Sequence, residues 1–169
     1  MQSRKSRAGG GGMRSTLKLI ALGAVLAIGA AGSLGALADT AQIIKDRQAL
    51  MKKQGADLGA VKAYLEDKAD QAKAIAAATD LIKDLETIPS VFPPGSGGPN
   101  PEGKWSTKPE IWSDAQGFAA ARDTAIAKAG TLLTAVKTGD KASIQTVFAD
   151  VGKTGCGGCH TKFREELKK

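Results

Sequence analysis

Residues 155–164 read Gly155-Cys156-Gly157-Gly158-Cys159-His160-Thr161-Lys162-Phe163-Arg164. The segment holds both cysteines and the single histidine of the chain. A structural zinc site takes four nitrogen or sulfur ligands, usually from two such clusters, and no second cluster exists in this sequence. A redox dithiol of the thioredoxin kind opens a helix in a strand–helix–strand context, and no alternating strand pattern accompanies this one. Two idle cysteines beside a surface histidine would be a rare chance assembly of the pentapeptide. The remaining chemistry is covalent haem attachment. In Cys-x-x-Cys-His the two thiols add to the two vinyl groups of haem and the adjacent imidazole ligates the iron from one face. Cys156 and Cys159 are then the thioether anchors of one haem c, and His160 is the proximal ligand.

Upstream of the motif the apolar residues recur with a helical period, and an all-α fold follows. The first helix, capped by Asp39 or Thr40, carries Ile44, Met51, Leu58 and Leu65 at sevenfold spacing, supplemented by Ile43, Leu50 and Val61. A break falls near Asp67–Asp70. The second helix runs from about Asp70 to Ile88 with Ile75, Leu81, Ile82, Leu85 and Ile88 inward, and Pro89 ends it. All six prolines lie between 89 and 109, which marks a long irregular crossover. The third helix starts near Pro109, shows Ile111, Trp112, Phe118, Ile126, Leu132, Leu133 and Val136 on its apolar side, and stops at Gly139. Asp140 caps the fourth, which carries Ile144, Val147, Phe148 and Val151 into the motif and places Cys156, His160, Phe163 and Leu167 on one face. Short connections with one long crossover, about 89–109, predict an antiparallel four-helix bundle. Gly152 and Gly155 weaken a helix interior. Close approach of a flat macrocycle would justify them.

The N-terminus bears on compartment. Arg4, Lys5, Arg7, Arg14 and Lys18 precede an apolar run from Leu19 to Leu37, which ends in Ala36-Leu37-Ala38 before Asp39. A basic region, an apolar region and a small-residue exit describe a secretory signal. The run is about long enough to span a bilayer, but its Gly and Ser content and its exit favour cleavage. Met13-Arg14 would supply a conventional short basic region if translation began there. Residues 1–38 are thus expected to be a cleaved signal peptide, and 39–169 a single exported, periplasmic domain. Cleavage leaves 19 basic against 17 acidic residues, a net of +2. That small excess and the lack of a binding motif exclude nucleic acid as a partner. No paired carboxylates, activated nucleophile or phosphate loop point to an enzyme.

The second axial ligand decides between electron transfer and gas binding. No second histidine exists. Met51 is the one methionine beyond residue 38. On composition alone, core filling is its stronger reading.

Here a resemblance adds to the residues. Residues 39–169 are similar to the class II cytochromes c, the family of cytochrome c prime and cytochrome c-556. The segments that carry it are Arg47-Gln48-Ala49-Leu50-Met51-Lys52, Leu85-x-x-Ile88-Pro89, Lys108-Pro109-Glu110-Ile111-Trp112, and Cys156 to Arg164. Cytochrome c prime is itself a standard example of the four-helix bundle, so the fold name comes with the resemblance. The residue four after the first-helix arginine faces the distal side of the haem in this family, which places Met51 there. The resemblance implies a Met51 axial ligand of the c-556 kind, and with it a periplasmic carrier of single electrons. The alternative is a cytochrome c prime-like protein binding NO or CO at an open distal site. It also implies Arg47 and Arg164 as partners for the haem propionates, although a solvated surface arginine accounts for either. Lys153, Lys162, Arg164, Lys168 and Lys169 form a basic rim that would steer acidic redox donors and acceptors, or simply complement a helix C-terminus. A homodimer through the first two helices is compatible with the resemblance, and the Ala-, Lys- and Asp-rich outer face of the second helix does not decide it.

Overall fold

The computed structural model describes residues 31–98 and 103–167, with side chains from residue 40 onward. Residues 1–30 of the expected signal, Met1 and Met13, Pro99 and Pro101 of the crossover, and Lys168 and Lys169 of the basic rim lie outside the described residues.

The molecule is a four-helix bundle. Its rods are α1 (Ala31–Leu65), α2 (Gln71–Thr87), α4 (Ala115–Thr138), and a fourth rod assembled from three pieces. That rod comprises α5 (Lys141–Asp150), a π-helical segment Val151–Cys156, and α6 (Gly157–Phe163). A single turn, α3 (Glu110–Ser113), precedes α4. Consecutive rods pack side by side: α1 on α2, α2 on α4, and α4 on the fourth rod.

The ends are set by local chemistry. Asp67 takes a left-handed conformation (φ 58°) after α1, a geometry that a short polar side chain tolerates better than most. Asp70 caps α2 by accepting from the Lys73 amide at 2.7 Å. Pro89 sits in the first turn of a 3-10 segment, Ile88–Val91, where the helical path changes. Gly139 adopts φ +76° at the end of α4, a position where a Cβ would be strained. Asp140 then caps α5.

Small residues bring the rods together. Ala74, Ala77, Ala78, Ala125 and Ala129 are buried, and Val61, Leu81, Leu132, Val136, Ile144 and Val151 fill the space between them. In α2 the alanines carry the inward face with Leu81 and Leu85, whereas Ile75 and Ile82 are only half-buried.

Several expectations are corrected. Helix α1 has no cap at Asp39 or Thr40: it runs unbroken through them from Ala31. The stretch before them continues the helix on its alanines and leucines, although it includes Gly32 and Gly35, which are poor helix formers. The third helix is split at Asp114, which leaves α-helical geometry (φ −121°, ψ 57°) to cap α4 by accepting from the Gly117 amide. The all-helical reading misses a two-stranded antiparallel ribbon, β1 (Trp105–Thr107) with β2 (Arg164–Glu166), in which Trp105 pairs with Glu166 and Thr107 with Arg164. Consequently α6 ends at Phe163, and Leu167 does not extend the face shared by Cys156 and His160. Its amide instead donates to the Lys104 carbonyl at 2.8 Å. The ribbon folds the crossover over the motif end of the bundle.

Candidate functional site

Between α1, the crossover, α4 and α6 lies a cavity of about 430 Å³, within the range of about 300–1,000 Å³ of small-molecule and cofactor sites. All six site residues singled out from the sequence line it: Arg47 and Met51 from α1, Cys156, Cys159 and His160 from the motif, and Arg164 from β2. Ile44, Leu85, Ile88, Phe92, Ile111, Phe118 and Phe163 supply its apolar walls.

The motif arrives by way of the π segment, whose wide turn is a feature often found at functional sites. Gly155 is buried in it, and a Cβ there would meet the Ala125 backbone at 3.5 Å. That is an ordinary contact distance, so the packing of the fourth rod on α4 does not by itself demand glycine; the residue also lines the cavity. Gly152 is exposed and is not among the residues that line the cavity. Two ion pairs hold the motif rod against α4: Lys128 with Asp150 at 2.5 Å and Lys162 with Asp114 at 2.6 Å. Thr154 adds a hydrogen bond from Oγ1 to Asp150 at 2.7 Å.

Both thiols are free and half-buried. Burial raises their pKa values, and the neighbouring Cys156 adds to the rise at Cys159. The His160 imidazole is shifted the other way, down from its ordinary value, first by burial and then by the Arg164 charge. It is therefore neutral at pH 7, which leaves a ring nitrogen lone pair for a metal.

Arg47 is only 7% exposed. Its Nε donates to the Val91 carbonyl at 2.9 Å, and Nη2 donates to Ser96 Oγ at 2.8 Å and to the Ser96 carbonyl at 3.3 Å. The guanidinium also lies 4.1 Å from the Phe92 ring centroid. Desolvation lowers its pKa to about 10, so it remains charged at neutral pH. Arg47 thus clamps the crossover onto α1 from within the cavity wall, a structural duty that sequence reasoning had not assigned. Arg164 is extended in β2 rather than one helical turn beyond His160. Its guanidinium lies 4.0 Å from the Trp105 ring centroid, and both residues line the cavity. An edge-on aromatic ladder, Phe92–Phe118–Phe163 with centroids 5.2 Å apart at each step, closes the wall behind them. Of the expected basic rim, Lys162 is already paired with Asp114, and the neighbouring Lys104 with Glu166.

Among the described residues, two polar atoms beside the cavity are buried without a hydrogen-bond partner, Gln54 Nε2 and Thr107 Oγ1, and both residues line it. Sequence reasoning missed both. Gln54 had a signal, since a glutamine at a core-stripe position of α1 departs from the helical pattern.

The donor set and walls fit a haem. Two thiols and a neutral imidazole share one wall region, the surroundings are apolar and aromatic, and the positive charges of Arg47, held by the crossover, and of Arg164 line the cavity. A four-helix bundle with a C-terminal Cys-x-x-Cys-His on such a cavity defines a monohaem c-type cytochrome. The chain belongs to the cytochrome c' family, whose model matches residues 42–164. Cytochrome c' of Rubrivivax gelatinosus is 42% identical over 113 residues, covering 64% of this chain and 82% of the relative. The crystal structure of that protein superposes with a TM-score of 0.58 at 34% identity, covering 70% of this chain and 91% of that one. The nitric oxide complex of a point mutant of cytochrome c prime from Alcaligenes xylosoxidans gives 0.64 at 27% identity, over 77% and 97% of the two chains. A further cytochrome c', with an unusual ligand-controlled dimer dissociation, gives 0.65 at 26% identity over 74% and 95%. The cofactor is a covalently attached c-type haem. The matched relatives are cytochromes c', which favours the alternative reading of the distal site over methionine ligation.

Proposed function

We propose that this chain is an exported, periplasmic cytochrome c' that takes up NO or CO on an open haem face. Cys156 and Cys159 hold the haem by thioethers, and His160 is the single protein ligand to its iron. The observation that carries this reading is the match to the cytochromes c', and it leaves a wall role for Met51. Together with Leu50 and Leu58, Met51 leans on the buried core cluster while lining the cavity, as an apolar wall residue does. When bound, the haem would supply an iron able to exchange one electron and to take up a diatomic gas. The protein supplies a neutral imidazole on one side, apolar walls that exclude water, and the charges of Arg47 and Arg164 for the propionates. No catalytic turnover is part of the reading. Among the described residues no helix is long and apolar enough to cross a membrane.

The second reading, His160/Met51 ligation and electron transfer, draws support from the placement of Met51 on the same cavity as His160. Optical spectra of the mature protein, oxidised and reduced, with and without carbon monoxide, separate the two. A high-spin spectrum that shifts with carbon monoxide is expected, and Met51→Ala should leave the spin state as it is. A low-spin parent that ignores carbon monoxide, converted to high spin by Met51→Ala, would establish the methionine ligand instead. Sedimentation with and without carbon monoxide addresses homodimerisation on the same sample.

A further inference from the structure

Arg47, Met51, Gln54, Leu58 and Val61 are spaced four, three, four and three residues apart, so they form one stripe on α1. Val61 is fully buried and Leu58 packs on the core cluster. Gln54 occupies the place in this stripe between the apolar core and Met51. It is 7% exposed, it lines the cavity, and its Nε2 has no partner among the described residues. Gln48 and Lys52 also line the cavity but are less buried than Gln54. A buried amide that gives up water without a replacement is costly, and such groups are retained where something else accepts from them. Leucine at this position would extend the stripe without that cost.

We propose that the Gln54 side-chain amide is the hydrogen-bond donor for a small ligand bound on the Met51 side of the haem. It favours ligands whose outer atom accepts a hydrogen bond over purely apolar ones. The inference rests on the open-face reading given above. It places a buried donor one helical turn from Met51, and it assigns the orphaned amide a partner that is present only in the liganded state.

Gln54→Leu in the haem-loaded protein tests it, with carbon monoxide as the probe. Loss of the donor should raise the C–O stretching frequency of the ferrous complex. It should also speed carbon monoxide release about fivefold, the order that one neutral hydrogen bond supplies. The midpoint of thermal unfolding without carbon monoxide should hold or rise, because an orphaned group has been removed. An unchanged stretch and release rate in a variant that still binds carbon monoxide would overturn the proposal while leaving the open-face reading intact. A lower unfolding midpoint without carbon monoxide would also overturn it, since the amide would then serve a permanent acceptor. If the parent takes up no carbon monoxide, the open-face reading fails and the proposal falls with it.

Discussion

At the scale of single residues, Arg47 shows how a buried charge is made tolerable. Removing a guanidinium from water is expensive, and the cost is offset only when its donors are used. Arg47 meets that condition with two carbonyls, one hydroxyl and the face of Phe92. Arg47→Ala would leave the Val91 carbonyl and the Ser96 hydroxyl without their donor and release the crossover from α1. A loss of about 2 kcal/mol or more is expected, because hydrogen bonds to a charged group are worth about 1.5–3 kcal/mol each. Urea unfolding of parent and variant measures it. Arg47→Lys should recover only part of the loss, since an ammonium cannot reproduce the fork that reaches Val91 and Ser96 together. A variant as stable as the parent would mean that the crossover holds itself. The motif residues were legible in the sequence because their chemistry resides in residue type and spacing. The clamp was not: it joins positions 44 and 49 residues apart, and its acceptors are mostly backbone carbonyls, which every residue owns.

At the scale of elements, the break at Asp114 decides how the crossover enters the bundle. Asp114 leaves the helix so that its carboxylate can accept from the Gly117 amide at 3.0 Å, and the same carboxylate pairs with Lys162 of α6. The geometry depends on glycine at 117, because a Cβ there would stand 2.2 Å from Asp114 Oδ2. Gly117→Ala should therefore displace the cap, although alanine is the better helix former. The lost cap, usually about 1 kcal/mol, and the propensity gain of about 1 kcal/mol should nearly cancel, so the midpoint of thermal unfolding is expected to stay within a degree or two of the parent instead of rising. A rise in stability would show that intrinsic propensity outweighs the cap. Elements with strong local signals were readable from the sequence: the α2 start at Asp70, the stop at Pro89, and the Gly139–Asp140 junction. Those that depend on distant partners were not. The ribbon joins Trp-Ser-Thr to Arg-Glu-Glu, two triplets too short to carry an alternating pattern. The π segment changes which carbonyl each amide meets and leaves no mark on apolar spacing beyond its two glycines. The cap at Asp114 was hidden inside an apolar period that continues across it.

At the scale of the whole molecule, the motif-bearing rod is secured to α4 by carboxylates, and that makes its seating sensitive to acid. Asp114 is held below its ordinary pKa first by the Lys162 hydrogen bond and then by the Gly117 amide. Asp150 is lowered in the same way by Lys128 and then by Thr154. A carboxylate whose folded pKa is depressed binds fewer protons folded than unfolded. Its contribution is therefore complete above the unfolded value of about 3.9 and is lost as pH falls below that value toward and through the folded pKa. Stability of the parent should be flat through these two groups from pH 7 to about 5 and fall below about 4. Asp114→Asn with Asp150→Asn should lower stability at pH 7 and flatten the decline at low pH, because neither position then titrates. Urea midpoints measured at about pH 7, 5, 4 and 3 on both proteins check the sign. A double variant that keeps the full acid decline would place the sensitivity in other carboxylates. Both pairs are solvent-exposed, so added salt should narrow the difference at pH 7. Because the same two links hold Cys156, Cys159 and His160 to the wall formed by α4, the haem spectrum of the parent should begin to change as these carboxylates protonate, below about pH 4, whereas the double variant should show that change already at about pH 7 and respond less to acid. Acid would then loosen the rod before it unfolds the bundle.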